Sequence, residues 1–415
     1  MNDPSPLPAT AEAVLKFLES VGRRSEAELY LRLFRGAPKE SFAVIAAEAA
    51  VVRVALGSLL EQLRFLSALG LVAPVVVGLF DPHSADAGAR HLEAQLPAAG
   101  LVPTVGTMTA PDLTARVRQQ LRAERIPVLR YPAAGAGSTG DRFAALGMLA
   151  GALGSRKVVV VRSQGGLASG GNEPLRLEPG HELPTHGGSI SVINLRTDLD
   201  GLRRSATLSS EDKALLEHTA RLLSTAGNEP VTVSVTSPLT LLRELFTVKG
   251  AGTLIKTGSE ILRASGYDEL DSARIRALLE MSFGRRLRPE FWQRKPRAVY
   301  LEKGYRGVAI IEPATVAPYL TKFAVEPLAR GEGLGQDIWQ ALTREQRSLV
   351  WRSRISNPVA RWYAGVCDGM MRVDGWQIFW RGVSATDVPR AIAAAVAMPH
   401  DFIDGRSECV RSTQS

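Results

Sequence analysis

The sequence predicts an α/β protein built from two domains, and three observations lead to this prediction. A chain of 415 residues is longer than one hydrophobic core usually supports. Up to about Gly266, short apolar runs alternate with helical stretches, which is typical of a largely parallel sheet buried on both faces. After Gly266, strand-like segments dominate, which indicates a mostly antiparallel sheet flanked by a few helices.

The elements of the first domain follow from the spacing of its apolar residues. Residues 11–34 place apolar side chains at helical spacing on both sides of Gly22, which predicts a helical hairpin. Strands are predicted from short apolar runs, which in chain order read FAVIAAEAAVV, APVVVGLF, KVVVVRS, SISVINL and VTVSV. We therefore expect an N-terminal helical segment at residues 1–36 and an α/β domain at residues 37–264.

The second domain begins with a helix whose ends are marked in the sequence. Asp271 stands near its start as a capping residue, and Gly284 follows its end. Five strands and one further helix are predicted after it, from AVYLEKGYRGVAIIEPA (two strands), PYLTKFAVEP, DIWQALTREQ (helix), LVWRSRI and WQIFWRGV. We expect this α+β domain at residues 265–402, followed by a flexible tail at residues 403–415.

Composition and charge exclude several classes of function. The formal charge is +8, but the only dense basic run, GRRLRPEFWQRKPR, lacks the repeated aromatic pattern of a nucleic-acid-binding sheet. No apolar run is long enough to span a membrane. Two cysteines and six unpaired histidines predict no metal site. The N-terminus lacks the basic start and apolar core of a secretion signal, so we expect a cytoplasmic protein.

A glycine-rich turn, ARGEGLGQDIWQAL (329–342), is the clearest candidate binding motif. It is not a dinucleotide fingerprint, because Gln336 stands where the third glycine belongs, and the chain contains no Gly-Lys-Ser/Thr tripeptide. Side-chain-free backbone at the start of a helix can nevertheless donate N–H groups to a pyrophosphate. Taken alone, the turn predicts either such an anion site or a left-handed turn without a ligand.

The surrounding segments carry a family resemblance. The pattern R-x-x-G-x-G after a central strand resembles the coenzyme A pyrophosphate loop of the GNAT acetyltransferases. Together, the ordered segments ELFTVKGAGTLI, YDELD, SFGRRL, YLTKFAV, GEGLGQDIW, LVWRSRISNP, WY and GWQIFWRG resemble the vertebrate-like N-acetylglutamate synthases and the bacterial bifunctional N-acetylglutamate synthase/kinases. The resemblance is specific over residues 238–385 and weaker before them. It implies an amino acid kinase-like three-layer α/β/α domain followed by a GNAT (acyl-CoA N-acyltransferase) α+β domain.

The resemblance also assigns candidate residues for the coenzyme. It implies acetyl-CoA as the cosubstrate, with no metal. The residues expected to bind it are those of the glycine turn and the start of the following helix, namely Arg330, Gly331, Gly333, Leu334, Gly335 and Gln336.

The acceptor site is predicted from the segment LVWRSRISNP and its neighbours. Strand alternation places Arg352 and Arg354 on one face, where two guanidinium groups can clamp a carboxylate, although Arg352 can equally be structural. The resemblance implies that Lys322, Arg354 and Asn357 bind glutamate. It also implies that Tyr363 donates the proton to the leaving thiolate, with Asn357 as a further catalytic residue.

One position departs from the family pattern. Ala360, followed by Arg361, stands where relatives often have a second asparagine, so an acceptor other than glutamate stays open.

The first domain lacks the residues that phosphoryl transfer needs. Active kinases of this fold carry a lysine beside paired glycines on the first strand, where the cation stabilises the transferred phosphoryl group. Here residues 46–49 read Ala-Ala-Glu-Ala, so Glu48 stands near the position of the cation, and the second glycine turn keeps only Gly78. We expect that kinase activity is lost and that the domain serves as a scaffold.

An arginine-sensing role for the first domain is a second expectation. The family resemblance implies an arginine site around ELFTVKGAGT, with Glu244 and Gly250 as candidates. Leu239 stands where many arginine-sensitive kinases have a histidine, so a purely structural role for this segment is equally open.

The sequence thus predicts an N-acetyltransferase that forms N-acetylglutamate from acetyl-CoA and L-glutamate in arginine synthesis. We expect L-arginine as an effector, a homo-oligomer that is tetrameric by resemblance, and no nucleic-acid or membrane partner. Three alternatives stay open: a bifunctional synthase/kinase, a non-enzymatic regulator that binds arginine or acetyl-CoA, and a GNAT enzyme for another amine.

Overall fold

The computed structural model divides the chain into two compact units, Met1–Thr257 and Gly258–Ser415. The structure describes Leu31 and residues 38–39, 42–135, 137–171, 173–178, 181–227, 231–246, 251–326, 333–357 and 359–403. Apart from Leu31, the predicted helical segment at residues 1–36 lies outside these ranges, as does nearly all of the predicted tail.

The described part of the first unit contains twelve strands and eight α-helices. The strands are β1 (Val44–Ala47), β2 (Val75–Val77), β3 (Pro103–Thr107), β4 (Ile126–Arg130), β5 (Lys157–Val161), β6 (Leu175–Glu178), β7 (His181–Leu183), β8 (Thr185–His186), β9 (Ser189–Ile190), β10 (Val192–Asn194), β11 (Thr232–Thr236) and β12 (Thr253–Lys256). The helices are α1 (Ala49–Val54), α2 (Leu56–Ala68), α3 (Ala85–Gln95), α4 (Leu113–Arg122), α5 (Thr139–Leu153), α6 (Leu195–Arg204), α7 (Ser210–Thr225) and α8 (Leu241–Phe246).

An eight-stranded sheet with the order β10-β12-β11-β5-β1-β2-β4-β3 forms the centre of this unit. The strands from β11 to β3 are parallel, whereas β12 runs antiparallel to β11. Helix α1 packs against α2 and α3, and α5 packs against α4 and α7, so helices form a layer on each face of the sheet. The two layers arise because the chain reverses its direction across the sheet after β3. The predicted three-layer α/β/α architecture is confirmed.

The described part of the second unit contains seven strands and four α-helices. The strands are β13 (Ile261–Ala264), β14 (Ala298–Glu302), β15 (Gly307–Glu312), β16 (Tyr319–Val325), β17 (Leu349–Arg354), β18 (Gly369–Val373) and β19 (Trp376–Arg381). The helices are α9 (Ser272–Phe283), α10 (Leu334–Glu345), α11 (Ala360–Val366) and α12 (Val388–Ala397). The sheet order is β13-β14-β15-β16-β17-β19-β18, and only the pairing of β16 with β17 is parallel among these neighbours.

The predicted mostly antiparallel α+β domain is therefore confirmed, but it begins earlier in the chain than predicted. Strand β13 pairs with β14, so the second unit begins at Gly258 rather than after residue 264. Helix α9 is capped as its sequence predicts, since the Asp271 carboxylate accepts N–H bonds from Ala273 and Arg274, and Gly284 is left-handed.

The second sheet is covered on both faces. Trp351 belongs to the core packed by α10 and α11, while its neighbour Val350 belongs to the core packed by α12. Consecutive strand residues point to opposite faces. We call the side covered by α10 and α11 the α10 face, and the side covered by α9 and α12 the α12 face.

Candidate functional site

A cleft opens between strands β16 and β17. Their ladder contains one pair, Tyr319 with Val350, whereas β17 and β19 pair along the whole length of β17. Beyond Tyr319 the two parallel strands diverge, which leaves backbone N–H and C=O groups of the cleft walls available to a ligand. An extended molecule with amide groups can bind to such strand edges.

The glycine turn lies at the start of α10. Gly333 adopts a left-handed conformation with φ of 71° and is the N-cap of this helix. Its carbonyl oxygen accepts the N–H group of Gln336 at 3.1 Å. The N–H groups of Leu334 and Gly335 lie in the first turn, where an α-helix offers them no acceptor of its own, and such groups bind anions. The other two residues predicted to bind the coenzyme, Arg330 and Gly331, lie outside the described residues.

Tyr363 lies on α11 and faces the α10 side of the cleft. Its side chain is 6% exposed, and its ring lies 6.4 Å from that of Phe323 on β16 and 5.7 Å from that of Trp351 on β17. The ring therefore spans the two strands that diverge. Burial raises the pKa of Tyr363 well above its usual value, and the nearby Tyr319 adds to this shift. The phenol stays protonated near neutral pH, as a proton donor requires.

Asn357 forms the turn that joins β17 to α11. Its Oδ1 atom accepts the N–H group of Val359 at 3.0 Å, and its carbonyl oxygen accepts that of Ala360 at 3.0 Å. The side chain therefore forms an Asx turn just before the helix that carries Tyr363. Its predicted contact with glutamate stays a prediction.

Arg352 and Arg354 lie on one face of β17, as strand alternation predicts. Their guanidinium groups lie 4.2 and 3.9 Å from the ring centre of Trp376. The two are not equivalent, however, because Arg352 donates hydrogen bonds to carbonyl oxygens at the end of α12, at 2.7–2.9 Å from Ala395, Val396, Met398 and Pro399. The predicted clamp of two guanidinium groups is therefore not formed. Arg354 is exposed and forms no ion pair within the described ranges.

Lys322 is buried on the α12 face. Its side chain is 5% exposed, and its ammonium group forms an ion pair with Asp401, whose side chain is 8% exposed. Arg294 also pairs with Asp401, at 2.5 Å. Together, Lys322 and Arg294 hold the pKa of the Asp401 carboxyl below its usual value, although burial alone would raise it.

This charged cluster was not predicted from the sequence. Asp401 lies 79 residues after Lys322 in the chain, and no local pattern connects the two. Trp376, which stacks beneath Arg354, was also missed as a site residue. Its sequence signal is the segment GWQIFWRG, and the ladder of β17 and β19 places it opposite Arg354.

The site of a kinase would lie at the carboxyl edge of the parallel strands in the first unit. Glu48 follows β1 at this edge, and its carboxylate accepts hydrogen bonds from the N–H group and the Oγ atom of Ser163, at 3.0 and 3.2 Å. Gly78 follows β2 with φ of 83°, and a Cβ atom there would lie 2.5 Å from that of Ala85. An anionic side chain thus occupies this edge.

Glu244, the candidate arginine contact, forms hydrogen bonds with backbone groups of its own chain. Its side chain is buried, and its Oε2 atom accepts N–H groups of Ala251 and Gly252 at 2.8 and 3.1 Å. The second candidate, Gly250, lies outside the described residues.

Within the ranges that the structure covers, no helix combines the length and apolar character that crossing a membrane requires. In the same ranges, no three His, Cys, Asp or Glu side chains are grouped so that they could hold a metal ion.

Comparison with known proteins gives matches to both units. The family model for NAT, the N-acetyltransferase of N-acetylglutamate synthase, matches residues 262–397. An acetylglutamate kinase of Xanthomonas campestris is 32% identical over 409 residues, which cover 86% of this chain and 94% of that protein. The mitochondrial N-acetylglutamate synthase of Mus musculus is 32% identical over 275 residues, which cover 65% of this chain and 49% of that protein.

Among solved structures, the N-acetylglutamate synthase of Neisseria gonorrhoeae complexed with coenzyme A and N-acetyl-glutamate aligns with 16% identity and a TM-score of 0.47. The alignment covers 87% of this chain and 98% of that chain.

Proposed function

Since this chain belongs to the family of the vertebrate-like N-acetylglutamate synthases and bacterial bifunctional synthase/kinases, we propose that it transfers an acetyl group from acetyl-CoA to the α-amine of L-glutamate. The product, N-acetylglutamate, would serve arginine biosynthesis. The observation that carries this proposal is the cleft between β16 and β17, because the first turn of α10, Tyr363 and Arg354 all border it.

The donor fits the α10 side of the cleft. Backbone N–H groups in the first turn of α10 would bind the pyrophosphate of coenzyme A, helped by the positive end of the helix dipole. The pantetheine arm carries amide groups, which would pair with the free backbone groups of the diverging strands. This arrangement leads the thioester towards Tyr363.

The acceptor, glutamate, fits the α12 side of the cleft. The exposed guanidinium of Arg354 would bind a carboxylate of glutamate, and its stacking on Trp376 holds it in place. The neutral amine then attacks the thioester carbonyl carbon, after its extra proton has passed to water. A C–N bond forms, the C–S bond breaks, and Tyr363 donates its proton to the leaving thiolate. The second proton that the amine loses as the amide forms passes to the Tyr363 phenolate through water and restores the phenol.

The reaction can be tested directly with the purified chain. Acetyl-CoA is offered with each of the twenty amino acids, and the products are identified by mass spectrometry. We expect N-acetylglutamate as the main product. A different acetylated amino acid would retain the transferase chemistry and reassign the acceptor, as the departure at Ala360 allows. Binding of acetyl-CoA without any product would favour the non-enzymatic alternative.

Gly335→Ala is expected to weaken the binding of coenzyme A about tenfold without unfolding the protein. A methyl group at this position has room, since a Cβ atom would lie 3.7 Å from Phe323 and 3.6 Å from Val325. It would, however, hold the phosphate oxygens away from the N–H groups of the turn. Hydrogen bonds from these groups to an ionised phosphate are charge-assisted, so their loss is costly. Isothermal titration with coenzyme A and a thermal unfolding curve measure the two effects.

The matched control for this change is Gly365→Ala on α11, where a Cβ atom meets no neighbour within 4 Å. The control should bind coenzyme A normally. Equal affinities of the two variants would contradict the proposed pyrophosphate site.

We also propose that the first unit transfers no phosphoryl group, although the Xanthomonas relative is named an acetylglutamate kinase. The proposal is supported by Glu48, whose carboxylate at the sheet edge would repel the phosphates of ATP. With ATP, Mg²⁺ and N-acetylglutamate, we expect no release of ADP above the rate without protein. The Xanthomonas enzyme, assayed in parallel, is the positive control, and ADP release by this chain would establish the bifunctional alternative.

A further inference from the structure

A cavity of about 440 Å³ lies in the second unit where β16 and β17 begin. It is lined by Arg297 before β14, by five residues of the loop 313–318 between β15 and β16, and by residues 345–348 between α10 and β17. We call this space the base cavity. It lies at the last residue of α10, whereas the glycine turn lies at the first, so the base cavity is separate from the proposed coenzyme site. Cavities of this size commonly take small organic ligands.

Two arginine side chains line the base cavity from different strands. Arg297 precedes β14 and Arg347 precedes β17, and these strands are three places apart in the sheet. Neighbouring strands lie about 4.8 Å apart, so the two backbones are separated by roughly 14 Å at this end of the sheet. Arg297 is also the last residue of the dense basic run GRRLRPEFWQRKPR (284–297). Positive charge therefore stands on both sides of the base cavity.

The charge of these two arginines is available to a ligand. Both are exposed, and neither forms an ion pair within the described part of the chain. The Nε atom of Arg297 donates a hydrogen bond to Oε1 of Gln346 at 3.3 Å, which fixes this side chain beside the cavity. The carboxylate of Glu345, which also lines the cavity, already accepts hydrogen bonds from Arg263 at 2.9 Å and from the Tyr300 hydroxyl at 2.7 Å. Arg263 thus compensates the charge of Glu345, and the cavity keeps an excess of positive charge.

The wall between the two arginines is apolar. Ala317 belongs to the core of the α12 face, and Ala314 and Val316 pack against the same core. Pro313 and Pro318 have no N–H groups, so this wall offers few hydrogen-bond donors. A ligand that matches the base cavity therefore carries a negative charge at each end and a short hydrocarbon chain between them.

We propose that the base cavity binds a small dicarboxylate, with one carboxylate on Arg297 and the other on Arg347. A guanidinium group binds a carboxylate through two parallel hydrogen bonds, which a simple anion such as chloride cannot form. The cavity lies where the strands of the cleft are still joined, because the Val350 N–H group bonds to the Pro318 carbonyl oxygen at 3.0 Å just before the strands diverge. A bound dicarboxylate would therefore tie together the starts of β16 and β17.

Hydrogen exchange with glutarate as the probe tests this site. Glutarate carries two carboxylates and no amine, so it is not an acceptor for acetyl transfer. Because the two arginines are exposed, we expect a Kd of about 5 mM. About 50 mM glutarate should then slow exchange about tenfold in the peptides that cover residues 313–319 and 346–350. Butyrate carries one carboxylate and, at the same ionic strength, should slow exchange less than about twofold.

Arg297→Met and Arg347→Met should each abolish the effect of glutarate on these peptides. Both side chains are exposed, so the variants should fold normally, which a thermal unfolding curve checks. The matched control is Lys295→Met, which removes one charge from the same basic run at a residue that does not line the cavity. It should keep the slowing of about tenfold seen in wild type.

Three results would overturn this assignment. If glutarate slows no exchange in wild type, the two arginines are surface charges only, and Arg347 serves the carboxyl end of α10. Equal slowing in wild type and in Arg347→Met would place the ligand elsewhere on the protein. If butyrate slows exchange as much as glutarate does, one carboxylate is sufficient and the arrangement that bridges both arginines is wrong.

Discussion

Tyr363→Phe is expected to lower kcat for acetyl transfer about 100-fold, the usual order for the loss of a positioned proton donor. The ring remains, so the aromatic contacts with Phe323 and Trp351 and the affinity for coenzyme A should be kept. Because burial raises the pKa of Tyr363, its ionisation should not limit the rate between about pH 7 and 9. Steady-state kinetics across this range measure both effects.

The control for this change is Tyr300→Phe. Tyr300 is also a buried phenol of the second unit, but its hydroxyl group bonds to Glu345 and Gln346 at the end of α10. Its removal should leave kcat within about twofold, since it contacts no part of the cleft described above. A full rate in Tyr363→Phe would remove the tyrosine from the mechanism.

Arg354→Met is expected to reduce kcat/KM for glutamate about 100-fold, while KM for acetyl-CoA stays unchanged. The guanidinium would form charge-assisted hydrogen bonds with a carboxylate, and each such bond contributes about 1.5–3 kcal/mol. Methionine keeps much of the apolar stem of Arg354 but has no donor and no cation to stack on Trp376. Kinetics with each substrate varied in turn separate the two effects.

Arg372→Met on β18 is the matched control, because Arg372 is likewise exposed on a strand of the same sheet. It should retain normal kinetics. An equal loss in both variants would indicate a general effect of surface charge on the anionic substrates, not a specific contact.

Most central strands were predictable because their residues are buried on one or both faces. The runs around Val44, Val75 and Val158 are almost wholly inaccessible and read as apolar stretches. Strands β3, β13 and β18 were missed, and all three are sheet edges whose partly exposed residues weaken the pattern. Strands β4 and β12 were missed although both are internal, and β4 contains Pro127. This proline precedes the first pair with β2, so the ladder loses no donor there.

The candidate site also contains features that the sequence predicts and features that it does not. Tyr363 and the glycine turn lie in short, ordered motifs. The helix that follows the glycine turn forms as its sequence predicts, whereas α11, which carries Tyr363, was not predicted. The structural role of Arg352 could not be predicted from its strand, because its hydrogen-bond partners are carbonyl groups at the end of a helix more than forty residues later. The ion pairs around Lys322 were likewise not predictable from the sequence. Both depend on where α12 and the residues after it return to the sheet, which is a tertiary property.

The position of Tyr363 and Arg354 on opposite sides of the diverging strands also separates two kinds of evolutionary change. The residues proposed to bind the coenzyme and its thioester lie on α10 and α11, whereas those beside Arg354 come from β19 and the residues after α12. Substitutions in the second group can alter which amine is accepted while the donor machinery is conserved. One scaffold can in this way accept new amines while its binding site for acetyl-CoA stays unchanged.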